Sequence, residues 1–194
     1  DNSGLTTAKN GLDTEVNKVV DTTGKTPASV AEYNAAKQEA QAASAAAQKV
    51  LDNQNATEQE IQAEITKVNA AKDKLTAAAN GLKPAATAQA KQELTTAKEG
   101  LEAPVSTDGM TPASVEKYNT AKQAAQQEVE AAKTEADNVL GKGDNATAEE
   151  VAAAKTKVEE AQAKLDAAKA LLKPQSDNSG LTTAKNGLDT EVNK

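Results

Sequence analysis

The chain of 194 residues contains no cysteine, no histidine, no tryptophan and no phenylalanine, and all 22 of its basic residues are lysine. Without histidine or cysteine it lacks an imidazole base, a Ser-His or Cys-His nucleophile and a zinc site with nitrogen or sulfur ligands. The absence of thiols is compatible with the cytosol and equally with the exterior of a Gram-positive bacterium. These absences exclude most catalytic chemistry and leave the compartment open.

Charge and hydropathy exclude two further classes of partner. The formal net charge is −7, whereas proteins that bind nucleic acid take most of their affinity from clusters of basic residues. No run of about 18 apolar residues occurs, which is the length that a membrane-spanning helix needs. We therefore expect no nucleic-acid partner and no membrane insertion.

Alanine supplies 42 residues, and together with lysine, glutamate, glutamine and leucine it dominates the composition. These residues are strong helix formers. The alternation of β-branched and aromatic residues that is typical of strands is absent. The composition therefore predicts an all-α protein.

The sequence repeats over a long distance. Residues 177–194 are identical to residues 1–18, both reading DNSGLTTAKNGLDTEVNK. Eighteen consecutive identities indicate a unit taken from a tandem array of near-identical copies.

A second, looser repeat lies inside this unit. TPASVAEYNAAKQ from Thr26 returns as TPASVEKYNTAKQ from Thr111, and GLKP ending at Pro84 returns as LLKP ending at Pro174. The second copy lacks four residues after its first helix and gains four within its second helix. Because four residues make about one helical turn, both changes preserve the buried face. We predict a first module at residues 1–84, a second module at residues 85–174 and the first helix of a third repeat at residues 175–194.

Each module has the pattern of three amphipathic helices. In the first module, apolar residues recur every three or four positions in segments 5–20, 27–52 and 58–82, with Val19 on the apolar stripe of the first. Thr26-Pro27 and the capping box Thr57-x-x-Glu60 are signals for helix starts. Short polar loops between such helices predict tandem antiparallel three-helix bundles, arranged end to end as an elongated rod.

Four motifs in a fixed order carry a resemblance to a known family. They are L-x-x-A-K-x-x-L from Leu5 and Leu94, Y-x-x-A-x-x-x-A from Tyr33 and Tyr118, V-L-x-N-x-N-A-T-x-x-E-I from Val50, and L-x-x-A-x-x-x-L from Leu75. In this order they resemble the FIVAR family of three-helix repeats from giant Gram-positive surface proteins. The resemblance implies a secreted, wall-attached protein whose bundles form a fibre, in some cases one that binds fibronectin or other host matrix.

Three motifs look like ligand sites but fail the spacing that such sites require. Gly24-Lys25-Thr26 lacks the first glycine of a phosphate-binding loop, because Val19 stands in its place. Segments 52–60 and 141–149 resemble calcium loops, but Ala56 occupies a ligand position and the loop glycine is missing. Asn55-Ala56-Thr57 matches a glycosylation sequon, for which helix capping is the simpler role. We therefore predict no catalytic, cofactor-binding or metal-binding residue.

The two aromatic residues, Tyr33 and Tyr118, occupy the same position in the second helix of each module. They lie on the apolar stripe. We therefore predict a core role with the hydroxyl near the surface, in preference to a role as ligand anchors.

The favoured function is a non-catalytic structural stalk of a bacterial cell-surface adhesin, which projects a distal binding domain from the cell wall. Such a chain would be extracellular, cell-wall attached and a monomeric rod. The alternative is a weak multivalent binding module for a host protein such as fibronectin or albumin. Binding hot spots are enriched in Trp, Tyr and Arg, which are scarce here, so any binding would be weak and would gain strength by avidity over many copies. An enzyme is not expected, because the acidic residues fall on exposed helical faces with no pocket implied.

Overall fold

The computed structural model describes residues 1–194 and is built from helices. They are α1 (Ser3–Val16), α2 (Pro27–Asp52), α3 (Glu58–Asn80), α4 (Ala88–Gly100), α5 (Pro112–Leu140), α6 (Ala148–Lys169) and α7 (Ser179–Val192), with one 3-10 turn at Gly143–Asn145. The predicted all-α class is confirmed. None of the helices combines the length and the apolar character needed to cross a lipid bilayer.

The chain divides into two compact units. The first comprises Asp1–Lys91 and Asn138–Ala152, and the second comprises Gln92–Asp137 and Ala153–Lys194. The loop between α5 and α6 therefore belongs to the first unit, although it lies in the second sequence repeat. The module boundaries after residues 84 and 174 stay predictions.

In the first unit, α1, α2 and α3 each contact the other two and form a three-helix bundle. The large buried residues of α1 and α3 are spaced seven apart, which is two helical turns, so they lie along one stripe of each helix. They are Leu5 and Leu12 in α1, and Ile61, Val68 and Leu75 in α3. Against them α2 buries Tyr33 and three alanines, Ala36, Ala40 and Ala47. Large side chains from two helices thus pack on a mostly alanine face of the third.

The second repeat buries residues at matching positions, namely Leu94 in α4, Leu101 directly after α4, and Val151 and Val158 in α6. The helix α5 has 29 residues where α2 has 26. The difference is three and not the predicted four, because α5 ends at Leu140, which matches Leu51, one position before the end of α2. The buried face of α5 continues unbroken through Tyr118, Ala125, Val129, Ala132 and Ala136. A whole added turn keeps these residues on one side.

The predicted start positions of α2 and α3 are confirmed. The Thr26 hydroxyl accepts a hydrogen bond from the Ser29 amide at 3.3 Å, with Pro27 at the first helical position. The Thr57 hydroxyl accepts one from the Glu60 amide at 3.1 Å. Before α2 the chain turns through Gly24, whose φ of 71° lies in the left-handed region that favours glycine.

The first helix ends earlier than predicted. The structure ends α1 at Val16, and Val19, which was expected on the buried stripe, is fully exposed. The Asn17 amide still bonds the Asp13 carbonyl at 3.0 Å, but the Lys18 amide bonds the Glu15 carbonyl, which tightens the last turn. Val20 then packs against the core from outside the helix. Val19 and Val20 therefore lie outside the helix, in the segment that leads to α2.

The sequence of α1 recurs in α7 without its packing partners. Leu5 and Leu12 are 0% exposed, whereas Leu181 and Leu188, at the same positions of α7, are 73% and 64% exposed. The same sequence therefore forms a helix at both positions, whereas the burial of its leucines depends on the presence of α2 and α3.

Substitution of Leu12 by alanine should lower the free energy of unfolding by about 2–5 kcal/mol, because it leaves a cavity in a filled core. Urea unfolding followed by circular dichroism measures this. Leu188→Ala is the matched control, because the same change in the same local sequence removes only exposed surface. Equal losses for the two variants would contradict the structure.

A polar cluster ties α1 to α2. The Asp13 carboxylate lies 2.8 Å from Lys9 Nζ and also accepts a hydrogen bond from the Ser44 hydroxyl. Burial alone would raise the pKa of Asp13, but the hydrogen bonds from Lys9 and Ser44 outweigh it and lower the pKa below its ordinary value. A lowered pKa in the folded state stabilises the fold above the ordinary pKa, and this stabilisation is lost as the pH falls through the folded value.

Asp13→Asn should therefore destabilise the chain near pH 7 by roughly 0.5 kcal/mol, the size of a screened ion pair. The difference from the native chain should shrink as the pH falls below about 4, where the native carboxyl also becomes neutral. Thermal melts from pH 7 to pH 2 test this. Asp189→Asn is the control, because Asp189 has the same 2.8 Å contact with Lys185 on the unpacked helix α7; a constant difference across the whole pH range would contradict the assignment.

Candidate functional site

The two tyrosines lie in the core, as predicted. Tyr33 and Tyr118 are each 4% exposed. Lys122 Nζ lies 5.9 Å from the centroid of the Tyr118 ring, within the range of a cation–π contact. Their rings therefore pack inside the bundles, and neither stands free as an aromatic anchor.

Acidic side chains do not gather into a reactive or metal-binding group. Glu64 is the buried acid of the chain, at 7% exposure, and its Oε1 atom has no hydrogen-bond partner. The matching position of the second repeat is Ala154, which is fully buried. Glycoside hydrolysis needs two carboxyl groups flanking one bond, and no group of three or more acidic residues is close enough together to hold a metal ion.

The motifs that resembled ligand loops serve as caps and turns. Lys25 forms an antiparallel bridge with Pro84, and the Thr26 hydroxyl donates to Ser29 Oγ at 2.9 Å. The Thr147 hydroxyl accepts from the Glu150 amide at 3.0 Å, and the Glu150 carboxylate accepts from the Thr147 amide at 3.1 Å. Hydrogen bonds from Lys142 and from Thr147 lower the pKa of Glu150. The second repeat thus forms both bonds of its capping box.

Charged residues on the surface of the second unit pair across helices. Lys98 Nζ lies 2.6 Å from Asp137, and Lys133 Nζ lies 2.8 Å from Glu102. The hydrogen bond to Asp137 raises the pKa of Lys98, and the bond between Lys133 and Glu102 raises the pKa of the lysine and lowers that of the acid. The opposite charges of each pair therefore neutralise each other.

Each unit has one shallow depression beside its tyrosine. In the first unit it measures about 480 Å³ and is bordered by Val20, Tyr33 and Lys37. In the second it measures about 320 Å³ and is bordered by Pro104, Tyr118 and Lys122. The two lysines occupy the same position of the repeat, so a depression beside the tyrosine recurs in both repeats.

One polar contact was not predicted from the sequence. The side-chain oxygen of Asn145 accepts a hydrogen bond from the Ala28 amide at 2.9 Å, although the two residues are 117 positions apart. Both belong to the first compact unit. The sequence predicts only a local cap for the Asn-Ala-Thr motif, and the recurrence of this motif at the same position of both repeats was the available signal.

A known domain family matches both repeats of the chain. The FIVAR domain matches residues 8–76 and 97–166. The chain is 39% identical, over 201 aligned residues, to the extracellular matrix-binding protein EbhB of Staphylococcus aureus strain N315 and to the extracellular matrix-binding protein ebh of strain NCTC 8325 / PS 47. All of this chain is covered, but only 5% and 2% of those relatives. The chain therefore spans a small fraction of their length.

A solved structure from a study of Embp-mediated adherence of Staphylococcus epidermidis to fibronectin is 28% identical. The alignment covers 87% of this chain and 98% of that one, with a TM-score of 0.33. The two FIVAR matches cover most of both repeats, and identity to the matrix-binding proteins extends over the whole chain. The chain belongs to the FIVAR family.

Proposed function

We propose that the chain is a non-catalytic stalk segment of a bacterial cell-surface adhesin. Its tandem bundles would stand end to end as a monomeric rod, extracellular and attached to the cell wall, and would hold a distal binding domain away from the cell. Length, set by the number of repeats, is then the property that the sequence encodes.

The observation that carries this proposal is the use of the large apolar and aromatic side chains inside the bundles. The tyrosines and the evenly spaced leucines, isoleucine and valines are buried, and the surface charges of neighbouring helices are paired. Tight interfaces need exposed anchors such as Trp, Tyr or Arg. A chain that keeps its anchors in its core is suited to a mechanical role.

The stalk proposal predicts how size grows with copy number. Small-angle scattering of one, two and three tandem copies of residues 1–176 should give a maximum dimension that rises linearly, by up to about 80 Å per copy, since the 26 residues of α2 make a bundle about 39 Å long. A radius of gyration that rises only as about the 0.38 power of chain length, as in compact proteins, would contradict the proposal.

The second candidate function is weak multivalent binding to host matrix. It is favoured by the similarity to staphylococcal proteins that are named extracellular matrix-binding proteins. In this chain the depressions beside Tyr33 and Tyr118 are the surfaces that would carry it. Any such binding would gain its strength from many copies acting together.

Surface plasmon resonance on immobilised fibronectin and albumin separates the two functions. The stalk proposal predicts no saturable response to the single chain in the high micromolar range. A saturable response that falls when Lys37 and Lys122 are both replaced by alanine would contradict it and support binding. Lys49→Ala with Lys67→Ala is the control, since both lysines are exposed and lie away from the depressions.

A further inference from the structure

The segment that joins the two repeats lies between two backbone partners in the first compact unit. On one side, the Thr26 amide donates to the Lys83 carbonyl and the Ala85 amide donates to the Gly24 carbonyl, both at 2.8 Å. On the other side, the Ala86 amide donates to the Ala146 carbonyl and the Ala148 amide donates to the Pro84 carbonyl, both at 2.9 Å. Residues 83–86, called the junction edge below, are therefore bonded on both sides.

The Asn145 side chain completes this contact at the start of α2. Pro27 has no amide hydrogen, and the Thr26 hydroxyl accepts from Ser29. The Ala28 amide has no acceptor within its own repeat. It donates a hydrogen bond to Asn145 Oδ1 at 2.9 Å. Lys91 adds a contact of 3.4 Å to the Gly143 carbonyl. The loop at residues 145–147, called the Asn-Ala-Thr loop, thus caps a helix of the preceding repeat.

The second repeat carries the same junction edge with one side unfilled. The Thr111 amide donates to the Lys173 carbonyl and the Gln175 amide donates to the Gly109 carbonyl, both at 2.8 Å, as in the first repeat. The positions that match Ala28, Pro84 and Ala86 are Ala113, Pro174 and Ser176. They are exposed and receive no bond from another loop.

The first repeat carries the matching loop without an edge. Asn55, Ala56 and Thr57 correspond to Asn145, Ala146 and Thr147. Ala146 is 1% exposed in its docked loop, whereas Ala56 is only half-buried. The chain therefore contains two junction edges and two Asn-Ala-Thr loops. One edge and one loop are bonded to each other, and the other edge and the other loop are open.

We infer that the Asn-Ala-Thr loop and the junction edge are the two halves of a clamp between successive repeats. The open edge at residues 173–176 takes the Asn-Ala-Thr loop of a further copy of the repeat, and the open loop at residues 55–57 takes the edge of another. The occupant is a copy of this repeat because the same backbone donors and acceptors are offered. In addition, the helix that follows the open edge, α7, has the sequence of α1, the helix that opens the repeat containing Asn55. The inference does not depend on the stalk role, since a clamp can join repeats of either function.

Amide hydrogen exchange followed by NMR tests the clamp in the full chain and in a longer one. Residues 19–91 placed after Lys194 complete a third repeat, because residues 177–194 already match residues 1–18. The amides of Ala113 and Ser176 should exchange fast in the 194-residue chain and at least about tenfold slower in the extended chain. Asn55→Ala in the added copy alone should return Ala113 to fast exchange. Unchanged exchange at Ala113 and Ser176 in the extended chain would overturn the inference.

A matched pair of variants tests the docked clamp in the 194-residue chain itself. Asn145→Ala should speed exchange at Ala28 at least about tenfold, whereas Asn55→Ala, the same change in the open loop, should leave Ala28 as it is. Circular dichroism checks that both variants keep their helices. Equal exchange at Ala28 in the two variants would show that Asn145 makes no clamp.

Discussion

The structure depends on a narrow apolar stripe that meets a face of alanine. In the first unit, α1 and α3 bury large side chains seven residues apart, and these pack against Ala36, Ala40 and Ala47 of α2. Small residues bury little area, but they let helices approach closely and pack without voids. Each large apolar side chain stabilises the fold by about 1.5–3 kcal/mol when it is buried. Because a bundle has few such side chains, few remain available for binding a ligand. The side chains best suited to binding a ligand are the ones that hold the helices together.

Much of this architecture could be predicted from the sequence, because helical periodicity fixes which residues share a face. The predicted second helix, residues 27–52, coincides with α2, and both tyrosines lie in the core as expected. The end of the first helix could not be predicted in the same way. Val19 continues the apolar spacing of α1, yet it is exposed, because Val20 packs from outside the helix. Where a helix stops is decided by the packing of the residues that follow it, and periodicity carries no information about that.

The contact at the junction shows the same limit. Asn55 and Asn145 stand in the same motif, and both suit a local cap. Only the fold brings Asn145 to the Ala28 amide, 117 residues away. The prediction that imidazole and thiol chemistry is lacking has a different basis, because it follows from composition alone: the chain has no histidine and no cysteine. The helices of a repeat can therefore be predicted from the sequence of that repeat alone. The contacts between neighbouring repeats become visible only in a structure that contains both.

The most direct test of this account compares one amide in two identical sequences. Leu12 and Leu188 have the same neighbours along the chain, so their intrinsic exchange rates are equal and their ratio reports packing alone. If the apolar stripe holds the bundle, the Leu12 amide should exchange at least about a hundredfold more slowly than the Leu188 amide. A ratio within about threefold would mean that local sequence, and not the packing of α1 on α2 and α3, accounts for the helix.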